Sequence, residues 1–176
     1  YVPLSTQEGT LTLSMTRGLY LTYLSGGIDV CHIKQELSRS PLFLIEDPKE
    51  CMRFANWVQQ HFTDIKSAAE TTTNYGKLLR VDTAVISHGV IVDMIYDTGN
   101  AAGQNMVTIA SQAASIFIKE NYLKQYPHIR DFKFQVESGF NCDKKMGQRT
   151  ITRGRGHSCI AKARVSGKHL KRILRV

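Results

Sequence analysis

The chain has 176 residues, 42% of them apolar, which is enough to bury a core and excludes a disordered chain. No run of about 18 apolar residues is present, which excludes a membrane-spanning helix; the longest apolar stretch, near residues 85–96, is interrupted by His88, Gly89 and Asp93. The net charge is +8 and uneven: from Asn141 onward there are eleven Lys or Arg and one acid, Asp143, a balance that suits a polyanionic partner such as nucleic acid or a phosphorylated cofactor, and equally a solvated basic face.

No signal peptide is visible, and a start at Tyr1 rather than Met reads as an excised piece. Four cysteines without a CxxC pair and six histidines without HExxH predict reduced thiols in a cytoplasmic setting and no metal.

In chain order, residues 10–14 alternate weakly and predict a short strand. Residues 15–24 predict a short helix ended by Gly26-Gly27, and the polar stretch to Ser40 predicts irregular structure. Residues 41–46 (PLFLIE) form a short apolar strand. Asp47-Pro48-Lys49-Glu50 is a helix start: the Asp caps, Pro suits the first helical position and Glu50 closes a capping box. Cys51, Phe54, Ala55, Val58, Phe62 and Ile65 then make one helical stripe, ended by the turn formers of residues 71–74.

Residues 78–87 and 90–96 are rich in β-branched residues around His88-Gly89, a hairpin signal. A loop with two glycines leads to a helix over residues 104–125, with Met106, Ile109, Ala113, Ile116 and Phe117 as its apolar face. Pro127 stops it, and residues 131–137 alternate as a strand with Phe132, Phe134 and Val136 on one face. The order strand, helix, strand, strand, helix, strand predicts an α+β, ferredoxin-like unit over 41–137: an antiparallel sheet with two helices on one face. Residues 1–40 and 138–176 then belong to a larger domain into which this unit is inserted.

Three segments can carry chemistry. TGNAAGQN, residues 98–105, runs from a strand end into a helix start; its glycines permit close approach of a backbone, and a helix N-terminus offers N–H groups to phosphate. It is not GxGxxG, and a tight strand-to-helix connection explains it equally. In Asp143-Lys144-Lys145 the acid can hold an ammonium where it stabilises a growing oxyanion; an exposed polar loop is the plainer explanation. Arg153-Gly154-Arg155-Gly156 binds phosphate or RNA, or is a basic turn.

Taken together, YVPLSTQEG at the start, Thr16-Arg17-Gly18, Ser38-Arg39-Ser40-Pro41, TGNAAGQNM from Thr98, SGFNCDKK from Ser138 and Gly154-Arg155-Gly156 resemble, in order and spacing, the class I, eukaryotic-type hydroxymethylglutaryl-CoA reductases. The resemblance spans nearly the whole chain but only about the middle third of a complete catalytic region. It implies an NADPH-dependent oxidoreductase of isoprenoid and sterol biosynthesis that reduces hydroxymethylglutaryl-CoA to mevalonate, built as a homo-oligomer. The small domain, 41–137, would bind the nicotinamide cofactor. Lys144 would be the catalytic lysine. Arg17, Ser138, Asp143 and Lys145 would hold the hydroxymethylglutaryl group. Thr73, Asn74 and Tyr75 would lie beside the adenosine ribose, and Asn100, Ala102, Gly103, Gln104 and Asn105 along the cofactor. Further proton-transfer residues would come from outside this segment.

The sequence also departs from that family. Asn100 stands where Asp is usual. Asn74 stands where an Arg usually pairs with the 2′-phosphate of NADP, leaving Lys77 and Arg80 as substitutes and NAD as an alternative cofactor. The stretch from Ser138 to Asp143 is one residue shorter. A catalytically impaired paralog that binds a nicotinamide cofactor or acyl-CoA is therefore an open alternative. An RNA-binding module is a more distant one, because the predicted hairpin carries only Tyr96 for base stacking.

Overall fold

A computed structural model describes residues 3–140 and 147–175. The chain divides into two compact units, residues 34–158 forming one and residues 1–33 with 159–176 the other.

In the terminal unit, α1 (Gly9–Leu24) packs against α6 (Gly167–Leu174). Ser166 caps α6 by accepting from the His169 N–H. The expected strand over residues 10–14 is instead the first part of α1. The alternation there marks no buried face, since Leu11 and Leu13 are both exposed, so nothing selects an extended backbone. The expected irregular stretch before Ser40 is also ordered: β1 (Ile28–Arg39) runs through it. Its polar residues hid the strand, but ladder hydrogen bonds are made by the backbone. Leu37, Ser38 and Arg39 pair antiparallel with Tyr96, Ile95 and Met94.

The central unit is built on β2 (Leu42–Leu44), α2 (Pro48–Gln60), α3 (Phe62–Glu70), β3 (Lys77–Ile86), β4 (Gly89–Asp97), α4 (Gln104–Gln125) and β5 (Lys133–Gln135). After these come α5 (Gln148–Arg153) and β6 (Gly156–Ala163). Strand β4 is paired along both edges, with β3 on one side and with β2 then β1 on the other. Every registered pairing is antiparallel, and the order β5-β2-β4-β3 within the central unit is that of the predicted ferredoxin-like arrangement. Eight of the nine β4 residues are buried in consequence, so the run of Val, Ile and Met there follows from a strand covered on two faces. Gly89 opens it because a Cβ would lie 2.5 Å from the Phe43 carbonyl oxygen.

The expected single helix after β2 is two, parted at His61, whose backbone is non-helical and whose ring stacks on Trp57 at 4.0 Å. Asp47 caps α2 as expected, accepting from the Lys49 N–H at 2.9 Å. Glu50 does not complete a capping box. It is buried, and its carboxylate accepts from Tyr122 Oη at 2.6 Å and Arg53 Nη1 at 2.7 Å, a stronger demand on a desolvated charge than a terminal amide makes. Phe43, Phe54, Phe132 and Tyr122 meet ring to ring beneath it.

Helix α4 has the predicted limits but buries another face. Val107, Ala110, Ser111, Ala114, Ser115, Ile118 and Tyr122 turn inward, while Ile109 and Ile116 are exposed. Small residues let the helix approach the neighbouring elements closely, and the two buried hydroxyls are satisfied: Ser111 by Tyr96 Oη at 3.0 Å, Ser115 by donating to the Ser111 carbonyl at 2.7 Å. No helix among the described residues is long and apolar enough to cross a membrane.

Candidate functional site

The connection from β4 to α4 is tightly folded. Asp97 Oδ1 accepts from the Gly99 N–H at 2.9 Å, and the Ala101 N–H donates to the Thr98 carbonyl at 3.2 Å. Thr98 is buried. Its hydroxyl donates to the Ala101 carbonyl at 2.8 Å and accepts from Gln35 Nε2 at 3.2 Å, and the same amide also reaches the Gly99 carbonyl. Gly103 ends the turn in the left-handed region, φ 77°, as the N-cap of α4. A glycine cap brings no side chain to the first helical N–H groups, which have no intrahelical acceptors. They are left to main-chain, solvent or ligand partners. Asn100, Ala102 and Asn105 are exposed beside them, and Gln104 is half-buried.

A second segment reaches the same helix start. Thr73 Oγ1 accepts from the Tyr75 and Gly76 N–H groups, both at 3.1 Å, and lies 3.0 Å from Met106 Sδ in the first turn of α4. Gly76 also abuts Met106. Thus the turn at Thr73 and Gly76 meets the first turn of α4 at the Met106 side chain, about thirty positions away in sequence. Asn74 and Tyr75 project outward, Tyr75 81% exposed.

The two cations that follow this turn are both engaged. Lys77 pairs with Glu70 at 3.4 Å, whose other oxygen accepts from the Leu78 N–H at 2.9 Å. Arg80 makes a two-pronged contact with Glu36, 2.7 and 3.2 Å, and approaches Asp82 at 3.6 Å. Hydrogen bonds from Arg80 hold the Glu36 carboxyl below the ordinary carboxylate range, and Glu36 in turn raises Arg80. A depressed folded value means that the ionised carboxylate stabilises the fold above the usual carboxyl pKa and loses that effect as pH falls through the lowered value. Glu36→Gln is therefore expected to be less stable than the parent at neutral pH, with the difference shrinking steadily in acid. Urea melts across the acid range measure it; a pH-independent difference would remove this pair from the stability of the fold.

A third cluster centres on Arg39, which the sequence offered only as part of Ser38-Arg39-Ser40-Pro41. Its guanidinium donates to Thr108 Oγ1 at 2.8 Å, Gln104 Oε1 at 3.0 Å and Glu137 Oε2 at 3.1 Å. The Ser138 N–H donates to the Ser40 carbonyl at 3.1 Å, and Ser40 Oγ donates to buried Asp93 at 2.6 Å. Arg149 donates to the other Asp93 oxygen and to Ser38 Oγ. Arg39, Asp93 and Arg149 lie outside the set of site residues that the sequence predicts. The one available signal was a lone acid, Asp93, within an otherwise apolar strand: a buried carboxylate needs partners.

Of the expected substrate residues, Ser138 is half-buried within this cluster, with Oγ accepting from the Phe140 N–H at 3.3 Å. Arg17 is exposed on α1 in the terminal unit. Asp143, Lys144 and Lys145 lie outside the described residues. Arg153, in the basic Arg-Gly-Arg-Gly stretch, pairs with Asp82 at 2.6 Å. Among the described residues no group of three His, Cys, Asp or Glu side chains is arranged to hold a metal. The donor set at the α4 N-terminus, main-chain amides beside neutral polar side chains, suits a phosphate-bearing ligand.

An antiparallel ferredoxin-like sheet, with a glycine-capped helix and a polar turn meeting at one end, defines an α+β fold shared with solved hydroxymethylglutaryl-coenzyme A reductases. The class II enzyme of Streptococcus pneumoniae bound to NADPH superposes with a TM-score of 0.65 at 13% identity, over 95% of this chain and 42% of that one. The family model for hydroxymethylglutaryl-coenzyme A reductase matches residues 1–176, and the chain belongs to that family. The reductase of Aeropyrum pernix is 35% identical over 99% of this chain and 40% of its own length, and that of Methanocaldococcus jannaschii 31% over 99% and 43%. The chain thus spans about two fifths of the length of these curated relatives.

Proposed function

We propose that this chain is the cofactor-binding and lysine-bearing part of a reductase that converts hydroxymethylglutaryl-CoA to mevalonate by two successive hydride transfers. In this reading residues 41–137 are the cofactor domain, and 1–40 with 138–176 belong to the larger substrate domain. The observation that carries it is the meeting of Thr73 and Gly76 with Met106, which puts the exposed residues Asn74 and Tyr75 next to the Gly103-capped start of α4.

A dinucleotide fits that arrangement. Its pyrophosphate is received by the first N–H groups of α4 near Gly103, Gln104 and Asn105, with Asn100 and Ala102 alongside, and its adenosine end by the turn of Thr73, Asn74 and Tyr75. The bound nicotinamide supplies hydride. The chain's own contribution is orientation and charge. Lys144 presents an ammonium to the substrate oxygen that becomes negative as each reduction proceeds. Arg17, Ser138, Asp143 and Lys145 hold the acyl group. Arg39 ties Gln104, beside the cofactor, to Glu137, one residue before Ser138, so the two halves of the site share one support.

The sequence motifs favour the eukaryotic-type class; the archaeal reductases in the comparison are 28–35% identical to this chain and that of Dictyostelium discoideum 26%. A role in isoprenoid supply, and in sterol supply where a host makes sterols, follows from the product, and a cytoplasmic homo-oligomer is the assembly expected of the family. The test is a titration of reduced nicotinamide dinucleotide followed by its fluorescence. Saturable binding that Asn105→Asp weakens, by placing an anion at the α4 N-terminus, is the expected result. Absence of saturable binding would sink the assignment.

A further inference from the structure

We infer that Asp93 is a positioning residue for the proposed reaction: through Arg149 it fixes where the chain rejoins the sheet after the Asp-Lys-Lys segment. The inference rests on the role proposed above for Lys144 and deepens it.

The described residues on either side of that segment are tied to one short stretch of sheet. Before it, the Ser138 N–H donates to the Ser40 carbonyl at 3.1 Å. After it, the Arg149 guanidinium donates to Ser38 Oγ at 3.3 Å and to Asp93 Oδ2. Ser40 Oγ donates to the other Asp93 oxygen at 2.6 Å. Arg39 pairs with Met94 in the β1–β4 ladder, so Ser40 and Asp93 are the next facing positions. The chain therefore leaves at Ser138 and returns at Arg149 to the same stretch, Ser38 to Ser40, and to the carboxylate opposite it.

Apolar packing does not fix that return. Helix α5 has six residues and buries none of them, and a helix so short does not hold itself together. Its one large apolar side chain, Ile151, is 75% exposed. Its ties are polar. The Thr152 carbonyl accepts from Lys34 Nζ at 3.1 Å, and Arg153 pairs with Asp82 at 2.6 Å. Both of these are exposed, and exposed charged contacts contribute little. Asp93 differs, being buried in β4 between Val92 and Met94. A carboxylate there is costly unless its partners are in place, and an apolar side chain could fill such a position as stably as an ion pair does. What an apolar side chain cannot do is hold the Arg149 guanidinium in one place. Lys144 is five residues before Arg149, and an ammonium that meets a growing oxyanion acts only where it is accurately placed.

The experiment compares Asp93→Asn, Arg149→Gln and the double variant in the complete protein. Each is taken through steady-state kinetics, a dinucleotide fluorescence titration and a denaturant melt. Asp93→Asn keeps the shape and an acceptor for Ser40. Arg149 is 27% exposed, so Arg149→Gln breaks the same tie from the solvent side and decides the matter if Asp93→Asn does not fold. The expected result is a fall in kcat of about tenfold to 100-fold, the scale of a misplaced catalytic group, with dinucleotide affinity nearly unchanged. The double variant is expected to be no slower than the slower single one, since the two residues act as one unit. Parent-like kcat in a folded variant overturns the inference and leaves the role of Lys144 standing. So does an additive loss, an equal loss of dinucleotide affinity, or a loss that only tracks the unfolded fraction. If Lys144→Ala itself turns over near-normally, the reading beneath the inference falls and the inference with it.

Discussion

In the complete protein, replacing Lys144 by Ala is expected to lower the rate of both proposed reductions by at least about 100-fold while leaving dinucleotide affinity nearly unchanged. The size follows from what is removed: one charged donor aimed at a developing oxyanion is commonly worth about 3 kcal/mol of barrier or more. The selectivity follows from when that charge matters. The thioester oxygen, and then the aldehyde oxygen of the second reduction, carries little charge in the bound ground state and most of it near the transition state. An ammonium there raises the rate without contributing much to binding. The dinucleotide phosphates, in the proposed placement, are received at the start of α4, by groups that the substitution does not touch. Lys145→Ala is expected to divide the other way. A contact with the substrate carboxylate exists before and during reaction, so its loss raises KM more than it lowers kcat. Steady-state kinetics with each substrate, beside a fluorescence titration, separates the cases. Near-normal turnover by Lys144→Ala would take the lysine out of the mechanism, and a parallel loss of dinucleotide binding would make it a phosphate ligand.

Gly103→Ala should cost about 2–4 kcal/mol of stability, from left-handed strain together with overpacking, and weaken dinucleotide binding with it. Gly103 has φ 77°, and an added Cβ would lie 2.4 Å from Thr98 Cγ2. Thr98 cannot swing aside cheaply. It is buried, and its hydroxyl holds the turn through the Ala101 carbonyl and Gln35. Relief would have to come from the backbone at the helix start, the part of the chain whose N–H groups are proposed to meet phosphate. A companion change identifies the cause. Thr98→Ser removes the methyl and keeps the hydroxyl, so the double variant should recover part of the lost stability and affinity, though the left-handed strain and the 2.7 Å approach to the Cβ of residue 98 remain. Denaturant melts and dinucleotide titration on the single and double variants measure both. Parent-like melting by Gly103→Ala, or loss of stability with full binding, would separate this turn from the ligand.

Much of this was legible in the sequence because it is written locally. The Asp47-Pro48 start, the β-branched runs around His88-Gly89, the length of α4 between Gly103 and Pro127, and the alternation of Phe132, Phe134 and Val136 each depend on a few neighbouring residues, and together they fixed the element order and hence the ferredoxin-like topology. The motifs from Thr98 and Ser138 identified the family. What failed were inferences about burial. The weak alternation of residues 10–14 became helix, and the polar stretch of residues 28–39 became strand, because side-chain polarity does not report which backbones find ladder partners. The buried face of α4 was misassigned because Ile109 and Ile116 outweigh Ala110, Ser111, Ala114 and Ser115 in hydrophobicity, whereas close packing favours the small residues. Only the tertiary structure could show that Thr73 meets Met106, that Arg39 joins Gln104 to Glu137, and that Lys77 and Arg80 are held by Glu70 and Glu36. These are contacts between segments far apart in the chain, and no local pattern encodes them.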